Sequence, residues 1–283
     1  MIRDSSGDKE FWIKWIKHSE DNIAKDRAQI NTPSGNPVYR PQFVWDVSRD
    51  ILRLMLRRYS QGEPVSDLKQ LFPDILDMWE LSNRLAGEVC AEYNLKTCRD
   101  WIFELSSLNH YIWCFWLVGL ALVLDIPDDQ WCRLLALVGE EGKDILLDRV
   151  IVSRQPSRVI GSALLHDKPY NRLLKAIDAP REQQAIRLRE FVNYWYPELN
   201  RRGQEQPWWY QYGDPEKHPL EKGSYFGRWC IEGVAAVKVF DLDDNLCLGH
   251  ENYPGDLLRP NGPSSHVIRP EPKRGWVSKL LRK

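Results

Sequence analysis

Two spacings in this chain have residue types suited to metal chemistry. Pro127-Asp128 followed by Glu141-Gly142-Lys143 matches the bare Pro-Asp…Glu-x-Lys pattern of restriction-like nucleases, in which two carboxylates hold a divalent ion and the lysine assists the attacking water. That chemistry is normally built with Glu-x-Lys on a central strand, whereas Gly139 and Gly142 place it at a junction between helices; among 40 acidic residues such a match arises cheaply. Asp241-x-Asp243-x-Asn245 imitates the start of a calcium loop. Leu246 stands at the sixth position, where the turn needs glycine, and Asn252 at the twelfth, where a bidentate glutamate is needed. The histidines, at 18, 110, 166, 218, 250 and 266, are scattered, with no HExxH, no nucleophile motif and no glycine-rich phosphate loop. The sequence predicts no metal, no cofactor and no catalytic residue, which favours a binding protein over an enzyme.

Charge is distributed unevenly. The formal net charge is −1, but residues 259–283 carry seven basic groups and one acid, which leaves −7 on residues 1–258. An acidic body argues against direct nucleic-acid binding and suits a basic partner. From Asp125 to Asp148 the acids Asp125, Asp128, Asp129, Glu140, Glu141, Asp144 and Asp148 face only Arg133 and Lys143. From Asp214 to Asp256, a stretch that includes Glu216, Asp243 and Asp244, nine acids face four bases. Either run could be a solvated face. Either could also cover a basic site on a partner, with gain from electrostatic steering.

Helical periodicity must position these groups. It predicts helices over residues 8–30, 43–60, 74–93, 98–124, 128–138, 143–154, 169–177, 182–196 and 225–240, with a Pro/Gly/Asn loop at 31–41. The expected architecture is all-α: antiparallel helices packed pairwise through short loops, followed by an extended or disordered basic tail. The longest apolar run, Tyr111 to Leu124, is 14 residues, short of the roughly 20 that span a bilayer, and reads as a buried central helix. The first residues hold no apolar leader and the six cysteines no CxxC pair, so reduced structural thiols and a cytoplasmic protein away from membranes are expected. Most of the thirteen Trp are expected in the core. Trp208, Trp209, Tyr210 and Tyr212, however, fall in a polar loop, where they either clamp onto the core or anchor a partner. Arg228 and Glu232 are spaced i and i+4 beside Trp229, which predicts a structural ion pair under the indole. Asp243 and Asp244 are expected to end that helix as an acidic turn.

One set of spacings is hard to match by chance: aromatic-x-Gly-x-Trp-x-x-Glu-x-x-Ala-Ala-Val at Tyr225 to Val237, Leu-Asp-Asp at Leu242 to Asp244, and Tyr-Pro-x-Asp-Leu at Tyr253 to Leu257. Upstream stand Pro169-Tyr170-x-x-Leu173-Leu174-Lys175-Ala176 and Trp195-Tyr196-Pro197. Together they resemble the PoNi family of bacterial immunity proteins, which inhibit nuclease toxins delivered between competing cells by type VI secretion or related polymorphic toxin systems. The resemblance is good over about residues 130–258 and weaker before. Gly233 and Asp241 depart locally from the family pattern. The resemblance implies an N-terminal helical half over 1–130, a C-terminal half over 131–258 that holds the signature, and a tail over 259–283. It further implies a non-enzymatic partner of a cognate nuclease toxin, and leaves a homodimer open. Candidate contact residues are the acids of the two runs with Trp208, Trp209 and Tyr212; Arg228, Trp229 and Glu232 are assigned to the scaffold. A metal-dependent nuclease using Asp128, Glu141 and Lys143, or a helical adaptor using the Trp-rich loop, are the alternatives.

Overall fold

A computed structural model describes residues 1–32 and 35–267, and those residues contain helices, 3-10 turns and no strand. Helix α1 spans Lys9–Ile30 and starts where the Asp8 carboxylate accepts from the Phe11 amide. After the turn at Pro37–Tyr39 comes α2, Arg40–Gln61, ended by Gly62 in the left-handed region at φ 103°. The single-turn α3, Val65–Leu68, was not foreseen from periodicity, since one turn shows none. Then follow α4 (Phe72–Glu92), α5 (Leu108–Val123), α6 (Asp128–Val138), α7 (Ile145–Val152), α8 (Tyr170–Ile177), α9 (Arg181–Glu198) and α10 (Ile231–Phe240).

α2 lies between α1 and α4, α8 and α9 pack as a pair, and α5 packs on α10. Almost every residue of α5 is buried, as its apolar run predicts. α10 comes close to α5 at Gly119, where a Cβ would stand 2.9 Å from the Ile231 side chain. Around α5 the aromatic residues form two clusters. Trp45 lies within 4.4 to 5.9 Å of Trp79, Trp101, Phe103 and Trp113, and Trp209 lies 5.0 Å from Trp116 and 5.7 Å from Trp195.

Four expectations are corrected. Residues 98–107 are irregular, and α5 begins only at Leu108: Trp101 and Phe103 turn back onto the Trp45 cluster, which a continuous helix would not allow. Residues 225–230 form an extended strap. Gly227 has φ 101°, and a Cβ there would lie 2.6 Å from the Ser60 hydroxyl, so the aromatic-x-Gly-x-Trp motif cannot be helical. Tyr225 instead donates to Asp4 at 2.7 Å and Trp229 donates to Ser60 at 2.9 Å. Cys90 and Cys98 are joined by a disulfide with Cα atoms 6.1 Å apart, because Asn94, at φ 52°, turns the chain back after α4; Cys114, Cys132, Cys230 and Cys247 are free. The cysteines therefore no longer argue for a reducing compartment. The start of the tail, 259–267, is docked on the body. Arg259 pairs with Asp244, Ser264 and Ser265 donate to Asp256, and His266 is buried against Tyr59. The basic stretch from 268 onward lies outside the described residues. Among the described residues no helix is long and apolar enough to cross a membrane.

Candidate functional site

The acids of the first run divide into two groups by burial. Asp128 and Asp129 occupy the first turn of α6, where the helix dipole favours negative charge, and both are exposed. Asp125 is exposed just before them at φ 51°. At the other end of α6, Gly139, Glu140 and Gly142 all take positive φ, a tight turn that leaves Glu140 and Glu141 exposed. Glu140 accepts from the Leu105 amide at 2.5 Å, and Glu141 accepts from the Val159 amide. With Leu135, Gln155, Ser157 and Arg158 these two glutamates line an open cleft of about 330 Å³. Beside it stand exposed apolar side chains, Val159 at 61% and Ile160 at 46%.

Asp144 and Asp148 are corrected: both are fully buried and belong beneath this surface, not on it. Asp144 caps α7, accepting from the amides of Leu146 and Leu147, and also from the Tyr111 hydroxyl at 3.0 Å and the Leu165 amide at 2.8 Å. Asp148 pairs with Arg158 at 2.6 Å in a buried salt bridge and accepts from the Gly161 amide at 3.1 Å. Gly161 is required there, since a Cβ would lie 2.7 Å from the Asp144 nitrogen. These two acids staple residues 158–165 onto the start of α7, and so hold the platform that displays the exposed ones. Of the basic residues nearby, Arg133 is drawn away to Asp77 and Glu80 of α4, and Arg154 pairs with Asp128 at 2.7 Å.

The nuclease pattern does not assemble. Asp128 lies in the first turn of α6 and Glu141 beyond its other end, and the eleven residues of that helix rise about 16 Å. Lys143 is exposed beside neither a strand nor a metal cluster, and among the described residues no group of three His, Cys, Asp or Glu side chains could hold a metal ion.

The second run also divides. Asp214 is held by the Glu216 and Lys217 amides, which lower its pKa, and Glu216 and Asp243 are exposed. Asp244 is buried and corrected to a scaffold role: Tyr253 donates to it at 2.7 Å and Arg259 at 2.9 Å. Trp209 is likewise corrected, being 2% exposed and stacked in the core. Trp208 and Tyr212 are half-buried on Phe226, under the guanidinium groups of Arg49 and Arg53.

The Arg228–Glu232 pair is not formed. Arg228 lies on the strap before α10, so the i, i+4 geometry does not apply. Its guanidinium donates to the Tyr212 carbonyl at 3.1 Å and stacks over Tyr196. Trp229 is core, as expected. Glu232 points into the fully buried interior, where the Tyr170 hydroxyl donates to one carboxyl oxygen at 3.0 Å. The other oxygen lacks a hydrogen-bond partner, as do the nearby indole nitrogens of Trp116 and Trp195. Burial pushes the carboxyl up to about 7, against the opposing effect of its own backbone amide and of the Tyr170 hydroxyl.

Family models of the PoNe immunity protein, PoNi, match residues 3–136 with the N-terminal part and 142–257 with the C-terminal part. The chain belongs to the PoNi family. PoNi membership makes it an immunity protein with a toxin as partner. The boundary between the two PoNi matches falls at the turn after α6, beside the cleft. The fold is similar to that of protein PA2201 from Pseudomonas aeruginosa, known from a crystal structure, with a TM-score of 0.62 at 16% identity over 89% of this chain and 86% of that one. No curated protein matches the chain.

Sequence reasoning missed Val159 and Ile160. The signal was present, since Val159-Ile160 follows Pro156 and belongs to no predicted helix. Charge counting alone could not separate the exposed acids from Asp144, Asp148 and Asp244.

Proposed function

We propose that this immunity protein neutralises a nuclease toxin without catalysis, by laying the exposed acids Asp125, Asp128, Asp129, Glu140 and Glu141 over the toxin's basic, phosphate-binding surface. The observation that supports this reading is the α6–α7 junction. There, exposed Glu140 and Glu141 line a cleft beside exposed Val159 and Ile160, on a platform stapled by buried acids, and Asp125, Asp128 and Asp129 are exposed at the other end of α6. A partner's Lys or Arg side chain can enter that cleft between Glu140 and Glu141, while the apolar pair supplies area that a purely ionic contact lacks. Trp208, Tyr212, Asp214 and Glu216 are a second group of candidate contacts, and Asp243, in the turn after α10, is a separate one.

The test is co-expression with a nuclease toxin, sought first in the gene adjacent to this protein's, read as cell survival and as a stable co-purifying complex. Asp128→Lys combined with Asp129→Lys and Glu141→Lys should slow association tenfold or more and flatten its salt dependence. Unchanged association kinetics would remove this junction from the interface, and unchanged toxicity in the presence of the wild-type protein would sink the immunity reading.

A further inference from the structure

A second pocket lies away from the α6–α7 junction, between α1, α2 and the turn at Leu220–Lys222. Trp15, His18, Ser19 and Asn22 present one face of α1, and Asp50, Arg53 and Arg57 one face of α2; Lys222, Gly223 and Ser224 close the end. Its volume of about 150 Å³ is room for about five waters at about 30 Å³ each, well below the size of drug-like ligand sites.

Arg57 is the unusual group. It is 4% exposed, yet no carboxylate pairs with it among the described residues. Its guanidinium donates to three neutral acceptors: the Tyr225 carbonyl at 3.2 Å, the Ser19 hydroxyl and the Gly223 carbonyl. A guanidinium has five N–H donors, so two remain. The neighbouring acid, Asp50, is taken by Arg53 at 2.7 Å. Arg53 also donates to the Ser224 carbonyl at 3.2 Å, and its Nε has no partner. The lining thus holds three cations, Arg53, Arg57 and Lys222, against one committed carboxylate, in a body whose overall charge is acidic. Burial, and then the charge of Arg53, push the Arg57 pKa down to about 9. A buried cation left with neutral partners is costly, and a planar guanidinium fork is the group best matched to an oxyanion.

We propose that this pocket binds a small oxyanion, a phosphate or carboxylate group, held by the free N–H donors of Arg57 and by the ammonium of Lys222. The rest of the pocket is prearranged for that role. Gly223, at φ 71°, packs so tightly on Trp15 that a Cβ would meet the indole at 2.2 Å, which fixes the carbonyl that orients Arg57. His18 and Asn22, hydrogen-bonded to each other at 3.0 Å, offer further polar atoms at the rim.

The test uses the full chain without any toxin, so its outcome is separate from that of the immunity reading. Inorganic phosphate, and in a second arm acetate, is titrated at fixed ionic strength balanced with chloride, with binding followed by calorimetry and by thermal shift. Saturable binding is expected, abolished in Arg57→Met and weakened at least threefold in Lys222→Ala. Binding of phosphate alone assigns a tetrahedral oxyanion, and binding of acetate as well assigns a carboxylate. No saturable binding of either ion, or equal binding in Arg57→Met, overturns the proposal. Lys222 is exposed, so should Arg57→Met not fold, unchanged affinity in Lys222→Ala overturns it equally.

Discussion

Glu232 shows how one side chain can set a pH dependence. In the unfolded chain its carboxyl ionises near 4.5, and in the folded protein near 7. The folded state therefore keeps the proton longer, and stability contributed by the protonated form is lost as pH rises from about 4.5 through about 7. The difference corresponds to a penalty on the order of 3 kcal/mol above that window. His110 acts with the opposite sign. Burial lowers its pKa to about 4, so it favours the folded state increasingly as pH rises through the range where the unfolded histidine loses its proton. The two partly mask each other, and the informative quantity is the difference between variant and wild type. Glu232→Gln keeps an acceptor for Tyr170 and removes the charge. It should be nearly neutral at pH 5 and stabilising at pH 8 by up to about 3 kcal/mol, measured by urea denaturation at both values. A stability difference that does not change with pH would show that Glu232 is not the titrating group.

At the scale of elements, the turn between α6 and α7 depends on one buried ion pair. Arg158→Met would leave Asp148 without its countercharge in a fully buried site, and should destabilise the protein by about 3 kcal/mol. Adding Asp148→Asn should recover part of that loss; urea denaturation of the single and double variants measures both. Elements with local signals were legible in the sequence. α6 was foreseen over the residues it occupies because Pro127 and Gly139 bound it, and α2 ends at Gly62 for the same reason. What failed depended on distant partners. The strap at 225–230 has apolar residues spaced as a helix would place them, yet Gly227 is pressed against Trp229 and Ser60, the latter 167 positions earlier in the chain. Asp148 looks like Asp129 until Arg158 is seen to fold over it, and Asp144 looks like Glu141 until the Tyr111 hydroxyl is seen to reach it. The acidic character of the α6–α7 region was readable; which carboxylates face outward was not.

At the scale of the molecule, the two family-matched halves are joined by more than their connecting turn. Arg3 reaches Asp256 at 2.7 Å, and Asp4 accepts from Tyr225, so the start of the chain is clasped to the signature region. Trp229 stacks edge-on against Tyr59 of α2 at 5.1 Å, and Arg57 of the same helix donates to the strap. Bonds of this kind make the halves interdependent, and calorimetry should show a single transition whose midpoint coincides with that from far-ultraviolet circular dichroism. Two resolved transitions would mean that the halves unfold separately. The tryptophan-rich interior has a consequence for how such measurements are made. Trp12, Trp45, Trp79, Trp113, Trp116, Trp195, Trp209 and Trp229 are all nearly inaccessible to water. Their emission is therefore that of indoles in an apolar solvent, and a quencher dissolved in the buffer has almost no access to them until the chain opens. The protein is a sensitive optical reporter of its own unfolding, and for docking at the α6–α7 junction, away from half-buried Trp208, a dye placed on that junction is the better probe.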